Sequence, residues 1–219
     1  MIQVRSTPNY AGASITGSDR DVEQLSRMLE TLAGDEGEHP GYESARVRVM
    51  GFCAELRRAL ATSEQESATA GAKILWPELI FVSIALNGFI KLFYRKKTDP
   101  DWDRTLAGVR KFQESVAACL RQTLKEPAFR PVTGALGSQV FLEENYVTQY
   151  LDELNAQFLE LDPQRRLASI AEFAKRIAQQ GEDYRKCKSS VLEAARLYQC
   201  PVDEIRLRER YKAASEIVW

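Results

Sequence analysis

With 219 residues, and 31 acidic residues against 30 basic ones, the chain can bury one substantial core and carries no global field to attract nucleic acid or an anionic membrane. Its four cysteines, Cys53, Cys119, Cys187 and Cys200, lack paired metal-ligand spacing and read as reduced thiols packed as small hydrophobes, which points to the cytoplasm. The opening MIQVRSTPNY has no charged stretch followed by an apolar one, so no secretory signal is expected.

Ile2 and Val4, then Ala13 and Ile15, alternate with polar residues on either side of a turn carrying Pro8, Asn9 and Gly12. They predict a small N-terminal β-hairpin over 1–17, the one convincing strand signal in the chain. Asp19 is the expected cap of a helix with Val22, Leu25, Leu29 and Leu32 on one face, stopped by Gly34. A second amphipathic helix, about 42–61, turns Tyr42, Ala45, Val49, Phe52, Cys53, Leu56 and Leu60 inward and arginines outward. The polar stretch that follows has no periodicity and predicts a flexible loop over about 62–74.

Next comes ELIFVSIALNGFIKLF, apolar around its whole circumference yet interrupted by Ser83, Asn87, Gly88 and Lys91. Such a helix belongs at the centre of a bundle or in a bilayer. A spanning helix needs about twenty predominantly apolar residues with few charges. The interruptions and the amphipathic segments on both sides therefore predict a buried central helix, about 77–94, in a soluble protein. Arg95, Lys96 and Lys97 suit its C-terminal dipole, although a membrane span would be flanked in the same way.

Trp102, Leu106, Val109, Phe112, Val116, Cys119, Leu120 and Leu124 form one helical stripe that ends before Pro127. Pro131, Gly134 and Gly137 predict a loop, and the heptad-like spacing of Val140, Val147, Leu151, Leu154, Phe158 and Leu161 predicts a helix over 138–161. Asp162 and Pro163 open a helix with Leu167, Ile170, Ala174 and Ile177 inward. After Gly181 a further helix carries Tyr184, Val191, Ala194, Ala195 and Tyr198, and Pro201 opens a short last one over about 203–211. The expected fold is mainly α: a single-domain multi-helix bundle around a buried central helix, with a small N-terminal hairpin.

No catalytic residue, metal site or cofactor is predicted. Di-iron bundles need Glu-x-x-His pairs, and the single histidine, His39, reads as a solvated loop residue. Asp99, Asp101 and Asp103 resemble the start of a calcium loop, but Arg104 and Arg110 stand where glycine and glutamate belong; they read as helix-capping acids. Gly134 and Gly137 lack the lysine and strand of a phosphate loop. The segment 194–211 has the outline of a helix-turn-helix, but Asp203 and Glu204 would face phosphates, so a packed helical hairpin is the expectation and nucleic acid is not the expected partner.

Candidate ligand-binding residues are few. The loop 7–12 presents Asn9 and Tyr10 beside the hairpin, although turn chemistry alone also accounts for these residues. Arg46 and Arg57, with Arg48 and Arg58, could form an anion-binding face on the second helix, or a solvated face paired with Glu43 and Glu55. Asn87, inside the buried helix, must find hydrogen-bond partners or lose about 1–3 kcal/mol, and it either lines a pocket or ties two helices together.

The stretches TPNYAG at 7–12, YESARVRVMGFC at 42–53, PELIFVSIALNGFI at 77–90 and YVTQYLDELN at 146–155 together resemble an uncharacterised bacterial family whose domain has no assigned function. The resemblance covers most of the chain. It implies bacterial origin and a full-length single domain, and carries no catalytic or binding residue across.

The leading functional expectation is a cytosolic binding protein without catalysis, self-associating through a free edge of the hairpin or engaging another partner. The alternative is an enzyme or small-ligand binder with a polar pocket between the N-terminal loop and the second helix, drawing on Tyr146 or Asn155. Nucleic-acid binding would require Arg206, Arg208 and Arg210 to be exposed together.

Overall fold

The computed structural model describes residues 2–63, 71–95, 101–138, 145–206 and 216–219. Its elements in chain order are β1 (Gln3–Ser6), β2 (Gly12–Thr16), α1 (Asp19–Ala33), a 3-10 turn at Pro40–Tyr42, α2 (Glu43–Ser63), β3 (Ala72–Leu75), α3 (Trp76–Phe93) and α4 (Trp102–Thr123). There follow α5 (Glu126–Leu136), α6 (Gln149–Glu160), α7 (Pro163–Ala178), α8 (Glu182–Tyr198) and a 3-10 turn at Val202–Glu204.

The apolar segment became the centre of the molecule. All of α3 is buried except Glu78 and Lys91, because α1, α2, α4, α5, α6 and α7 surround it. Leu79, Ile80, Phe81, Val82, Ile84, Leu86 and Phe89 are fully buried, and each contributes about 1.5–3 kcal/mol of transfer free energy. By length and composition α3 could cross a membrane, but 89% of it is covered by its own protein, as in the core helix of a soluble protein. Pro77 sits in the first turn, where no intrahelical N–H is needed.

Asn87 resolves as a tie between helices. Its Nδ2 donates to the carbonyls of Leu136 (2.6 Å) and Ser138 (3.2 Å) at the end of α5, while Oδ1 accepts from Gln113 Nε2 (3.0 Å) and Arg110 Nη1 (3.2 Å) of α4.

The hairpin is present but gains a third strand. β2 lies between β1 and β3, antiparallel to both, so the expected loop over 62–74 is corrected at both ends: 62 and 63 belong to α2, and 72–74 to β3. Ala13 pairs with Ile74 and Ile15 with Ala72, all four buried. At Gly12 the strands approach so closely that a Cβ would stand 1.8 Å from the Ile74 carbonyl oxygen, which only glycine permits. The sheet runs directly into α3, since Trp76 N–H donates to the Ala11 carbonyl at 3.1 Å.

Helix boundaries follow local chemistry with small corrections. Ser18, not Asp19, caps α1: its hydroxyl accepts from Asp21 N–H, Asp21 answers through the Ser18 N–H, and Gly34 at φ 76° ends the helix. The loop expected around Pro131 and Gly134 is helix α5. Pro131 and Gly134 lie on its solvent side, while Phe129, Val132 and Ala135 are buried and α7 packs alongside, so burial outweighs poor propensity. Helix α6 begins at Gln149: residues 138 and 145–148 of the expected helix are not helical, Asn145 taking a positive φ of 49°, and 139–144 lie outside the described residues. Of its expected heptad positions Val140 lies outside the described residues. The short last helix reduces to Val202–Glu204 among the described residues, with 207–215 outside them.

Candidate functional site

Helix α2 spends one stripe on the core and an adjoining stripe on a cleft. Ala45, Val49, Phe52, Cys53 and Leu56 are buried, whereas Ser44, Val47, Arg48, Gly51 and Glu55, at spacings of three and four, line an opening of about 1030 Å³. The opposite wall is the start of α6, Tyr146 to Asp152, with Lys188 and Leu192 of α8 and Val202, Asp203 and Arg206 beyond it. Gln149 fastens these parts together, its Nε2 donating to the carbonyls of Val202 (2.7 Å) and Ile205 (3.0 Å).

The base of the cleft is charged. Arg48 Nη2 donates to Asp152 Oδ1 and to the Thr148 carbonyl at 3.2 Å, and Nη1 lies 3.7 Å from Glu78 Oε2. Glu78 Oε2 also accepts from Asn155 Nδ2 at 2.9 Å. Burial pushes the Glu78 carboxyl above the usual range, against the opposing pull of Arg48 and the Asn155 hydrogen bond. Behind the α6 wall, Tyr146 stacks on Tyr184 with ring centroids 4.7 Å apart, and the Tyr184 hydroxyl accepts the Val147 N–H at 3.3 Å. Burial pushes the Tyr146 phenol well above its ordinary value, so it stays protonated at neutral pH.

Gly51 gives the α2 wall an unusual bareness. A Cβ there would meet nothing within 4 Å, so no neighbour among the described residues demands glycine, although glycine costs a helix interior about 1 kcal/mol relative to alanine.

The five residues singled out from the sequence do not line this cleft and do not converge elsewhere. Asn9 donates to the Trp219 carbonyl oxygen at 2.7 Å, and Tyr10 adopts φ 54° in the tight turn, so this loop secures the C-terminal residues. Arg46 pairs with Glu43 at 2.6 Å, which holds the Glu43 carboxyl below its usual range; Arg57 pairs with Glu30 at 2.5 Å. Asn87 serves the helix tie described above. Of the helix arginines only Arg48 reaches the cleft, because two residues along a helix rotate a side chain by about 200° and separate it from Arg46.

Glu78, Asp152 and Arg48 were not recognisable as a set from sequence. Glu78 looks like an ordinary first-turn acid complementing the dipole of α3, and Asp152 lies far along the chain from Arg48. The one available signal was Glu78 itself, the single acid in the apolar segment.

Among the described residues no group of three or more His, Cys, Asp or Glu side chains is placed to hold a metal ion. Cys53, Cys119 and Cys187 are buried free thiols, and Cys200 is half-buried. Arg208 and Arg210 lie outside the described residues, and Arg206 donates to the Asp203 carbonyl.

No curated protein and no solved structure matches the chain. Over residues 2–219 the sequence matches DUF6904, described as a domain of unknown function, and the chain belongs to that family.

Proposed function

We propose that the protein is a non-catalytic binding protein whose ligand site is the cleft between α2, the start of α6 and α8. The observation that carries this reading is the combination of a volume of about 1030 Å³, walls that mix apolar residues such as Val47, Phe52 and Leu192 with charged ones, and a convergent polar base of Arg48, Asp152 and Glu78. Pockets of this size, mostly apolar with a few placed polar groups, are where small molecules bind. Gly51 supports it: bare backbone on the cleft wall leaves room for an occupant and has no packing reason among the described residues.

Binding rather than catalysis is favoured because His39, the only histidine, is not on the cleft, so Ser44 and Thr148 there lack the usual activating base. The buried free thiols fit a cytoplasmic setting. Self-association through the hairpin finds less support, since β3 occupies one edge of β2, and β1 presents exposed Gln3 and charged Arg5, residues that discourage edge pairing.

The test is a fragment screen on isotope-labelled protein by amide NMR. Binding fragments should shift the amides of Val47, Gly51, Val147 and Leu192 together. A library without hits, or with hits scattered away from these residues, would overturn the proposal.

A further inference from the structure

Glu78 meets its partners, the Arg48 guanidinium and the Asn155 amide, through one carboxylate oxygen. It lies in the first turn of the most apolar helix in the chain, its side chain 20% exposed and facing the cleft. Oε2 takes the Asn155 amide and stands 3.7 Å from Arg48, beyond hydrogen-bond range, while that guanidinium is directly bonded to Asp152. Among the described residues Oε1 receives no donor. Asn155 is 4% exposed, and its Oδ1 also lacks a hydrogen-bond partner among the described residues. Asn155 does not line the cleft, so the acceptor open to it is Glu78 Oε1.

Beyond Arg48, the cations lining the cleft have contacts of their own. Lys188 lies over the Tyr184 ring at 5.9 Å, and Arg206 is bonded to the Asp203 carbonyl. A partly buried carboxylate with an open oxygen is costly unless a donor, best a charged one, completes it. A bare metal ion fits poorly, because it would need further anionic ligands and the described residues group none. An ammonium needs only acceptors. The space is also far larger than an ion requires, and Val47, Phe52, Ile74 and Leu192 give it apolar walls.

We infer that the cleft takes an organic cation, a primary amine on an apolar body, with its ammonium on Glu78. The inference rests on the cleft being the binding site and adds the chemical class of what it holds. Val47 and Leu192, 53% and 43% exposed at the cleft, would cover the apolar body.

The test is an amide NMR titration of the full chain at pH 7.5 with 2-phenylethylamine and hexylamine, against the matched neutral 2-phenylethanol and hexanol and the anionic 3-phenylpropionate and hexanoate. The amines should shift the cleft amides with affinities at least tenfold above the matched alcohols and acids. Glu78→Gln keeps the shape and can still accept from Asn155, and it should reduce that advantage to under twofold. Equal binding of alcohols or acids, or an amine advantage that survives Glu78→Gln, would overturn the cation inference while leaving the cleft as a binding site. Cleft shifts by other fragments but by none of these six compounds would do the same. Silence of the cleft amides to every fragment would remove both.

Discussion

Replacing Asn87 by leucine keeps the branching of the side chain and removes all of its hydrogen bonds. Two of the four partners have alternatives: Gln113 Nε2 still donates to the Ser83 carbonyl at 2.8 Å, and Arg110 Nη1 still reaches Gln113 Oε1 at 3.0 Å. The carbonyls of Leu136 and Ser138 lose the amide that ends α5 against the central helix. Each stranded carbonyl costs about 1–3 kcal/mol, and the half-burial of both residues lets water recover part of it. The expected loss is about 2–4 kcal/mol in urea unfolding, read as a lower midpoint at unchanged slope. Arg110→Ala, at an exposed position, should cost less than about 1 kcal/mol. An Asn87→Leu protein within about 0.5 kcal/mol of the wild type would refute the tie.

Further outcomes follow from the same geometry. Because folding raises the Glu78 carboxyl above its unfolded value, the native state binds more protons between those two values, and stability attributable to this group falls as pH rises through that window. Glu78→Gln should therefore gain stability relative to wild type on going from pH 4 to pH 7.5 in urea titrations; an advantage that shrinks with rising pH would contradict the assignment. Burial pushes Cys53 up to about 12 and Cys187 up to about 11, so Ellman's reagent at pH 8 should label the half-buried Cys200 quickly and the other three thiols only after unfolding. Rapid labelling of all four in the native protein would show that the core is not closed. Arg166, 6% exposed, holds the carbonyls of Val218 and Leu159, each at 3.0 Å, and Arg166→Met should cost about 1–3 kcal/mol; an unchanged urea midpoint would mean that this clasp is unimportant.

What could be read from the sequence depended on how locally each feature is encoded. The inward stripes of α1, α4 and α7 repeat at the helical period, and Asp162 with Pro163 declares the start of α7, so these helices were legible. Helix α3 was legible because only its full circumference of apolar residues had to be noticed. Strand β3 was hidden because four residues, Ala72 to Leu75, offer just two buried side chains, and its pairing is set by β2 far back in the chain. Helix α5 was hidden because Pro131 and Gly134 mislead unless one knows that they face solvent.

The site was less accessible still. Arg48 was visible as one arginine among several, but its importance comes from Asp152 and Glu78, which only the packing of α2, α3 and α6 brings to it. Asn87 could be understood in advance because a buried amide must be satisfied wherever it lies. Asn9 and Tyr10 suggested a presenting loop, yet their turn is used to hold Trp219.

Gly51→Leu offers the most direct test that the cleft is kept open for a ligand. A Cβ at Gly51 meets nothing within 4 Å among the described residues, and leucine there replaces glycine in a helix interior, so the variant should be as stable as wild type or more stable by about 0.5–1 kcal/mol. The same leucine projects into the cleft, and fragment binding measured by amide NMR should fall at least tenfold. Stability retained together with binding lost is the predicted result; binding unchanged in a folded Gly51→Leu protein would contradict the account.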